Sequence, residues 1–432
     1  MVVSSLLEFG GLEEFAKDLA VGIQEHGHNV SVISTAWVPP ENQYLRSLRE
    51  HQVTYIQLPK WLSLAASDWP TKEKIRGVVL VLLIPLILLL GLGLALFRRQ
   101  PVGAAVTSAR NWLQGQLMRR VIGPDWRQPF VRLMLGWWRF YWKPDLLHIH
   151  GYTSTLLFVI DWAHAKKMPV IYEEHQTPDA QFDWWKDFGK SINKATIVVG
   201  VSEKSGQALR EVCGVTRPVV VAYYMVADPY KIGWQDLTSQ QDSNAPLRIS
   251  TVARLYVTKG LTYLLETIAL VKAVHPTVQF RVYGEGPLRD ELLAYAEKLG
   301  LDGKQIFVGA FTSREELSDI MARTDIFLMS SILEGLPISL LEAMSYGRAI
   351  VTTPAGGIRE AIQDGVNGLI CEARDPKCLA SNVNCLVEDM DLRHKLGHAA
   401  RQAYEQGPFS PSAVCNQYVS IYQQALSMPS PE

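Results

Sequence analysis

Residues 330–347 read Ser-Ser-Ile-Leu-Glu-Gly-Leu-Pro-Ile-Ser-Leu-Leu-Glu-Ala-Met-Ser-Tyr-Gly. The short run before them, 325–329, has the length and bounds of a buried parallel strand. Gly335 and Pro337 turn the chain, and proline suits the first helical position, so a helix is expected from Pro337 or Ile338. Leu340, Leu341, Ala343 and Met344 give that helix a packed face. Glu334 is left on the loop and Glu342 about a turn inside the helix. A helix N-terminus offers unbonded backbone N–H groups and the positive end of a dipole, both suited to phosphate. Carboxylates on either side suit hydroxyls. The pattern fits a polyol joined to a polyol by a diphosphate, which is the chemistry of a nucleotide sugar.

Glu334 and Glu342 form an E-x7-E pair, and this block resembles the retaining family-4 glycosyltransferases of the GT-B fold. The resemblance implies an α/β chain with two Rossmann-like domains facing across a cleft. It implies that Glu334 contacts the donor sugar and Glu342 the ribose hydroxyls, with Gly335, Leu336, Pro337 and Ile338 along the donor.

Other stretches are similar to the same family. Residues 2–5 read as a strand stub, Gly10 and Gly11 as a turn able to approach an anion, and about 12–26 as a helix with Phe15, Ala16, Leu19 and Ile23 on one face. Gly-Gly-Leu-Glu resembles the family's first loop, which places Glu13 on the acceptor side. The expected strand 145–150 ends in His-Ile-His-Gly, where open α/β sheets place ligands. His150 is similar to the family histidine that meets the donor sugar, His175 matches an acceptor-side position, and His148 is expected to pack inward. Arg254 and Lys259 precede a helix from about 261 and resemble the family's diphosphate clamp. Gly284 and Gly286 are similar to its glycine turn beside the nucleotide.

The 432 residues suit two domains, and a net charge of -1 gives no basic field for nucleic acid. Five cysteines without a Cys-x-x-Cys pair read as reduced core thiols, and no signal peptide is expected because Glu8, Glu13 and Glu14 interrupt the start. The expected organisation is an acceptor domain over 1–226, a polar linker over 227–246, a nucleotide-sugar domain over 247–408, and a helix and tail over 409–432 that cross back to the first domain.

The stretch 61–143 is expected to be a membrane-associating insertion. Residues 78–97 contain no charge, and as a helix would span about 30 Å. Between 98 and 143, Arg98, Arg99, Arg110, Arg119, Arg120, Arg127, Arg132, Arg139 and Lys143 face a single acid, Asp125, with tryptophans interleaved. That is the composition of a headgroup-level segment. One through-span would split the sheet across the bilayer, so a monotopic or re-entrant anchor on the cytoplasmic face is expected, with an oligomer contact as the competing reading.

The expected reaction is transfer of a sugar from a nucleotide-diphosphate sugar to a hydroxyl of a lipid- or polyprenyl-linked acceptor, with retention by resemblance. No Asp-x-Asp appears at a strand end, so no metal and no cofactor beyond the donor is expected. A soluble or polysaccharide acceptor, an epimerase and a non-catalytic membrane subunit are the alternatives. A dehydrogenase is poorly supported, since the first loop lacks Gly-x-Gly-x-x-Gly.

Overall fold

The computed structural model describes residues 2–3, 11–34, 37–58, 128–151, 154–181, 184–229 and 246–429. Gly10, most of the expected insertion (59–127) and most of the expected linker (230–245) lie outside the described residues.

The first half runs β1 (Val2–Val3), α1 (Gly11–Glu25), β2 (Ser31–Ser34), α2 (Gln43–Glu50), β3 (Thr54–Gln57), α3 (Gln128–Trp142), β4 (Leu147–His150), α4 (Ser154–Ala165), β5 (Val170–Glu174), α5 (Trp184–Ile192), β6 (Ile197–Gly200), α6 (Glu203–Glu211) and β7 (Val219–Val221). The second half runs β8 (Arg248–Val252), α7 (Leu261–Val274), β9 (Gln279–Tyr283), α8 (Arg289–Lys298), a short α9 (Gly303–Ile306), β10 (Phe307–Gly309), α10 (Arg314–Ala322), β11 (Ile326–Leu328), α11 (Ile338–Ser345), β12 (Ala349–Thr352), α12 (Ile358–Ala361), β13 (Leu369–Ile370), α13 (Pro376–Glu388), α14 (Met390–Gln406) and α15 (Pro411–Ser427).

Both sheets are parallel, in the orders β3-β2-β1-β4-β5-β6-β7 and β10-β9-β8-β11-β12-β13. Strand order reverses beside β1 and β4 in one, and beside β8 and β11 in the other. Such switch points open a crevice at the carboxyl ends of the strands. His150 ends β4, Gly11 begins the helix after β1, and Lys259 and Glu334 lie in the turns after β8 and β11, so topology alone gathers most of the expected site.

Local chemistry explains the helix limits. Ser202 and Asp375 accept backbone N–H groups at the starts of α6 and α13, and Pro376 occupies the first position of α13. α11 begins at Ile338, within the expected start, but Pro337 is its N-cap rather than its first helical residue. The core is continuous between the halves: Phe15, Ile171 and Val199 belong to one buried cluster with Phe327, Leu336 and Leu340. α15 packs against α1, and its Gln417 side-chain amide donates to the Val221 carbonyl at 2.7 Å.

Two expectations need correcting. Cys371 and Cys378 form a disulfide, with Cα atoms 5.8 Å apart, while Cys213, Cys385 and Cys415 are free. The loop between β13 and the first turn of α13 folds back on itself and brings the pair together, a closure that a search for Cys-x-x-Cys overlooks. Within the aromatic stretch, Trp138 is a core residue rather than an interfacial one. It is 2 % exposed and donates its indole N–H to Ser31 Oγ at 2.8 Å. With Val131 and Leu135 it seats one face of α3 on the first half, each buried side chain contributing about 1.5–3 kcal/mol. Among the described residues, no helix is long and apolar enough to cross a membrane.

Candidate active site

The second half presents its charges in pairs. β8 ends at Val252, and a single tight turn, Val257–Lys259, aims Lys259 toward the loop after β11. Its ammonium donates to both oxygens of Glu334, at 2.6 and 2.7 Å, and Ser331 Oγ adds a third bond at 2.7 Å. The residue expected to hold the sugar and the residue expected to hold the diphosphate are thus joined directly. Gly260, in the left-handed region, lets the chain pass under Ser330 and enter α7.

Glu342, in the second turn of α11, is buried at 5 % exposure. Arg314, at the start of α10, donates to it at 2.6 Å. Burial pushes the Glu342 carboxyl above the usual range, and Arg314 opposes that push. Glu14 and Asp18 of α1 act on both groups, and Lys17 pairs with each of those acids, at 2.7 and 2.6 Å. Arg314 was not singled out in the sequence, because nothing local marks a pair 28 residues apart.

Arg254 is exposed, its guanidinium 5.3 Å from the centre of the Tyr256 ring. The turn holding Gly284 and Gly286 backs onto it: Leu255 N–H donates to the Glu285 carbonyl at 2.9 Å. Gly284 has φ 149, and any side chain there would collide with the Ala253 carbonyl.

Around β4 and β5 the first half presents ionisable groups governed by burial. In the β4–β5 register His150 lies opposite Glu173 and His148 opposite Ile171. His148 Nε2 is 3.0 Å from Glu173 Oε2, and His150 Nδ1 is 3.4 Å from the same oxygen. His150 Nδ1 also lies 3.3 Å from His175 Nε2, and the other nitrogen of His175 meets Tyr224 Oη at 2.7 Å. Burial holds His148 and His150 well below the ordinary histidine range and brings His175 down to about 3. It raises Glu173 to about 8 and Glu174 to about 7. His148 packs inward as expected. Glu173 was missed because its role appears only once β4 and β5 are in register. His148, His150 and Glu173 are, among the described residues, the group close enough to hold a metal ion. Tyr422 Oη meets the outer nitrogen of His148, whereas the His150 nitrogen that faces Glu173, Nδ1, is also the one that lies against His175.

The halves meet at this cleft. A side chain on Gly335 would collide with the His175 carbonyl, and one on Gly11 would come 3.0 Å from Ile338. Burial raises Tyr224, and the charges of Glu173, Glu174, Glu334 and Glu13 add to it, so one tyrosine senses both halves. At the end of the cleft Glu360 accepts the backbone N–H groups of Glu203 and Lys204, at 2.8 and 3.1 Å, and the Tyr223 hydroxyl at 3.2 Å. Of the described site residues, His150 ends β4, Glu13 lies in the first turn of α1 and His175 follows β5; Arg254 and Lys259 follow β8, Gly284 and Gly286 follow β9, Glu334, Gly335, Leu336 and Pro337 lie between β11 and α11, and Ile338 and Glu342 are on α11.

Residues 237–403 match the family described as Glycosyl transferases group 1, and residues 94–227 match Glycosyltransferase Family 4. The chain is of the GT-B, group 1 and family 4 glycosyltransferase type. An uncharacterized glycosyltransferase of Methanocaldococcus jannaschii is 22 % identical to this glycosyltransferase over 97 % of the chain and 95 % of its own length. Among solved structures, HepE of Anabaena in complex with UDP-glucose superposes with a TM-score of 0.67 at 17 % identity, covering 98 % of each chain. Sucrose-phosphate synthase of Thermosynechococcus elongatus gives 0.68 at 15 % identity, again with 98 % of each chain covered.

Proposed function

We propose that the chain is a retaining glycosyltransferase that moves a sugar from a nucleotide-diphosphate sugar to a hydroxyl of a lipid- or polyprenyl-linked acceptor at a membrane surface. The observation that carries this reading is the pairing of Lys259 with Glu334 beside Arg314 with Glu342 in one cleft. A donor diphosphate takes the Lys259 ammonium, freeing Glu334 to accept sugar hydroxyls, while Glu342 accepts the ribose hydroxyls. Lys259 and Arg254, with the N-terminus of α11, stabilise the charge that develops on the departing diphosphate. These groups perform the task that a divalent ion performs elsewhere, so the proposed transfer needs no metal. His150 is neutral at physiological pH, which lets it hydrogen-bond a sugar hydroxyl or the acceptor without a charge to desolvate. HepE, solved with UDP-glucose, supports a nucleotide-sugar donor.

Support for the membrane surface comes from α3. Its outer face exposes Leu133 (71 %), Trp137 (53 %), Phe140 (74 %), Tyr141 (63 %) and Trp142 (51 %), flanked by Arg132, Arg139 and Lys143. Aromatic and basic side chains together suit the headgroup layer. The uncharged run 78–97 belongs to the same insertion in sequence.

The test is to incubate membrane extracts and purified protein with radiolabelled nucleotide sugars, with and without chelator, and to assign the anomer by NMR. The proposal expects label in the organic phase, an unchanged anomeric configuration and no effect of chelation. Label confined to water-soluble product would overturn the lipid acceptor.

A further inference from the structure

Glu342 is a buried carboxylate whose use as a hydrogen-bond acceptor depends on its charge. Buried acids in low-dielectric surroundings tend to take up a proton, and two further acids nearby, Glu14 and Asp18, strengthen that tendency. Tyr346, Tyr404 and Lys17 are further titratable groups that act on this pair or its acids. Among the described residues, the cation bonded to the carboxylate is Arg314, whose Nη1 lies 2.6 Å from Oε1. Arg314 is itself held: its side chain is 28 % exposed, and Glu342, Glu14 and Asp18 all raise its pKa against the effect of burial. A guanidinium is planar, permanently charged and geometrically fixed, so it can engage Oε1 without closing the second oxygen to another donor.

We propose that Arg314 is a positioning residue for the nucleotide: it keeps the Glu342 carboxylate ionised and oriented, with Oε2 turned to the ribose diol. The proposal rests on the reading of Glu342 as the ribose-holding group. It adds a residue from a different element, α10, that does not itself touch the sugar or the diphosphate. It also explains why an arginine rather than a lysine suits this place, since an ammonium would be a rotating point charge on a flexible stem.

The experiment uses the full chain and isothermal titration calorimetry. UDP, GDP and ADP are compared, and the tightest binder is then set against its 2′,3′-dideoxy counterpart between pH 6 and 8. The native protein is expected to prefer the ribonucleotide about tenfold or more, because charge-assisted hydrogen bonds are the strong ones, and to do so evenly across that range. R314M is expected to bind the ribonucleotide about tenfold more weakly at pH 8 and more weakly still at pH 6, with dideoxynucleotide affinity unchanged. R314K, which keeps a charge, is expected to restore the level pH profile with part of the affinity. Should R314M fail to fold by circular dichroism, R314Q removes the charge while keeping a donor and carries the same readout.

If E342Q abolishes the ribose preference while the charge-free Arg314 variants keep it, level with pH, the positioning role is overturned and the ribose reading stands. If E342Q keeps the native preference, or no nucleotide binds, the ribose reading fails and this inference falls with it.

Discussion

The two halves of the molecule are built on the same strand order yet handle ionisable groups in opposite ways. In the first half, burial decides. His148, His150 and His175 are kept neutral, and Glu173 and Glu174 hold protons well above the usual carboxylate range. In the second half the buried carboxylates are paired with cations, although burial still holds Glu342 above the usual range. Glu334 has Lys259 and Glu342 has Arg314. Neutral groups recognise hydroxyls without a large desolvation cost, whereas fixed charges counter a diphosphate. The difference divides the cleft into a hydrogen-bonding wall and an ionic wall.

Breaking the ionic wall should have the largest effect. Lys259→Ala and Glu334→Ala are each expected to lower transfer by about 100- to 1000-fold with folding intact. Because the two side chains act as a unit, the double variant should be little worse than either single one, as measured by initial rates with saturating donor.

Acid should next distinguish the walls by stability. Below about pH 6.5 the unfolded chain's histidines take up protons that the buried ones refuse, so stability falls as pH drops through that value toward 3. Each such proton is worth up to about 1.4 kcal/mol per pH unit. Glu173 and Glu174 act in the other sense: their contribution is present below the ordinary value of 4.5 and is lost as pH rises through about 7 and 8. These five groups together place the stability maximum near pH 6.5. Urea midpoints from pH 4 to 9 should show it, with a shallower acid limb in His148→Asn.

Reduction of the Cys371–Cys378 bridge should cost about 2 kcal/mol by loop-closure entropy, read as an earlier urea midpoint. The smallest effect is expected from Glu173→Gln. At pH 6 the native side chain is already neutral, so the change in midpoint should be under about 1 kcal/mol, while the alkaline limb of the stability curve flattens. A steep loss at pH 6 would show that Glu173 is charged there and would end the contrast between the walls.

Local punctuation made the ionic wall readable from the sequence. A strand, a glycine, a proline and a helix follow within a few residues, so Glu334 could be put on a loop and Glu342 inside a helix, while Lys259 stood out by its likeness to the family's cation pair ahead of a helix. His150 was readable as a strand-end residue. The remaining features depend on contacts distant in sequence or on register. Arg314 reaches Glu342 from another helix, Glu173 matters only because β5 lies beside β4, and Trp138 reaches Ser31 across 107 positions. Composition alone could not divide the aromatic stretch of α3 into a seated face and an outward one.

The clasp made by Glu360 has a mechanical consequence. One carboxylate bridges the two halves through two backbone amides and a phenol, while Gly335 lies so close to His175 that no side chain fits between. Parting the halves means releasing all of these together, like a latch lifting rather than a door drifting. The apolar cluster that Phe15 and Val199 share with Phe327 and Leu340 spans the same two halves, so separating them would also wet buried surface.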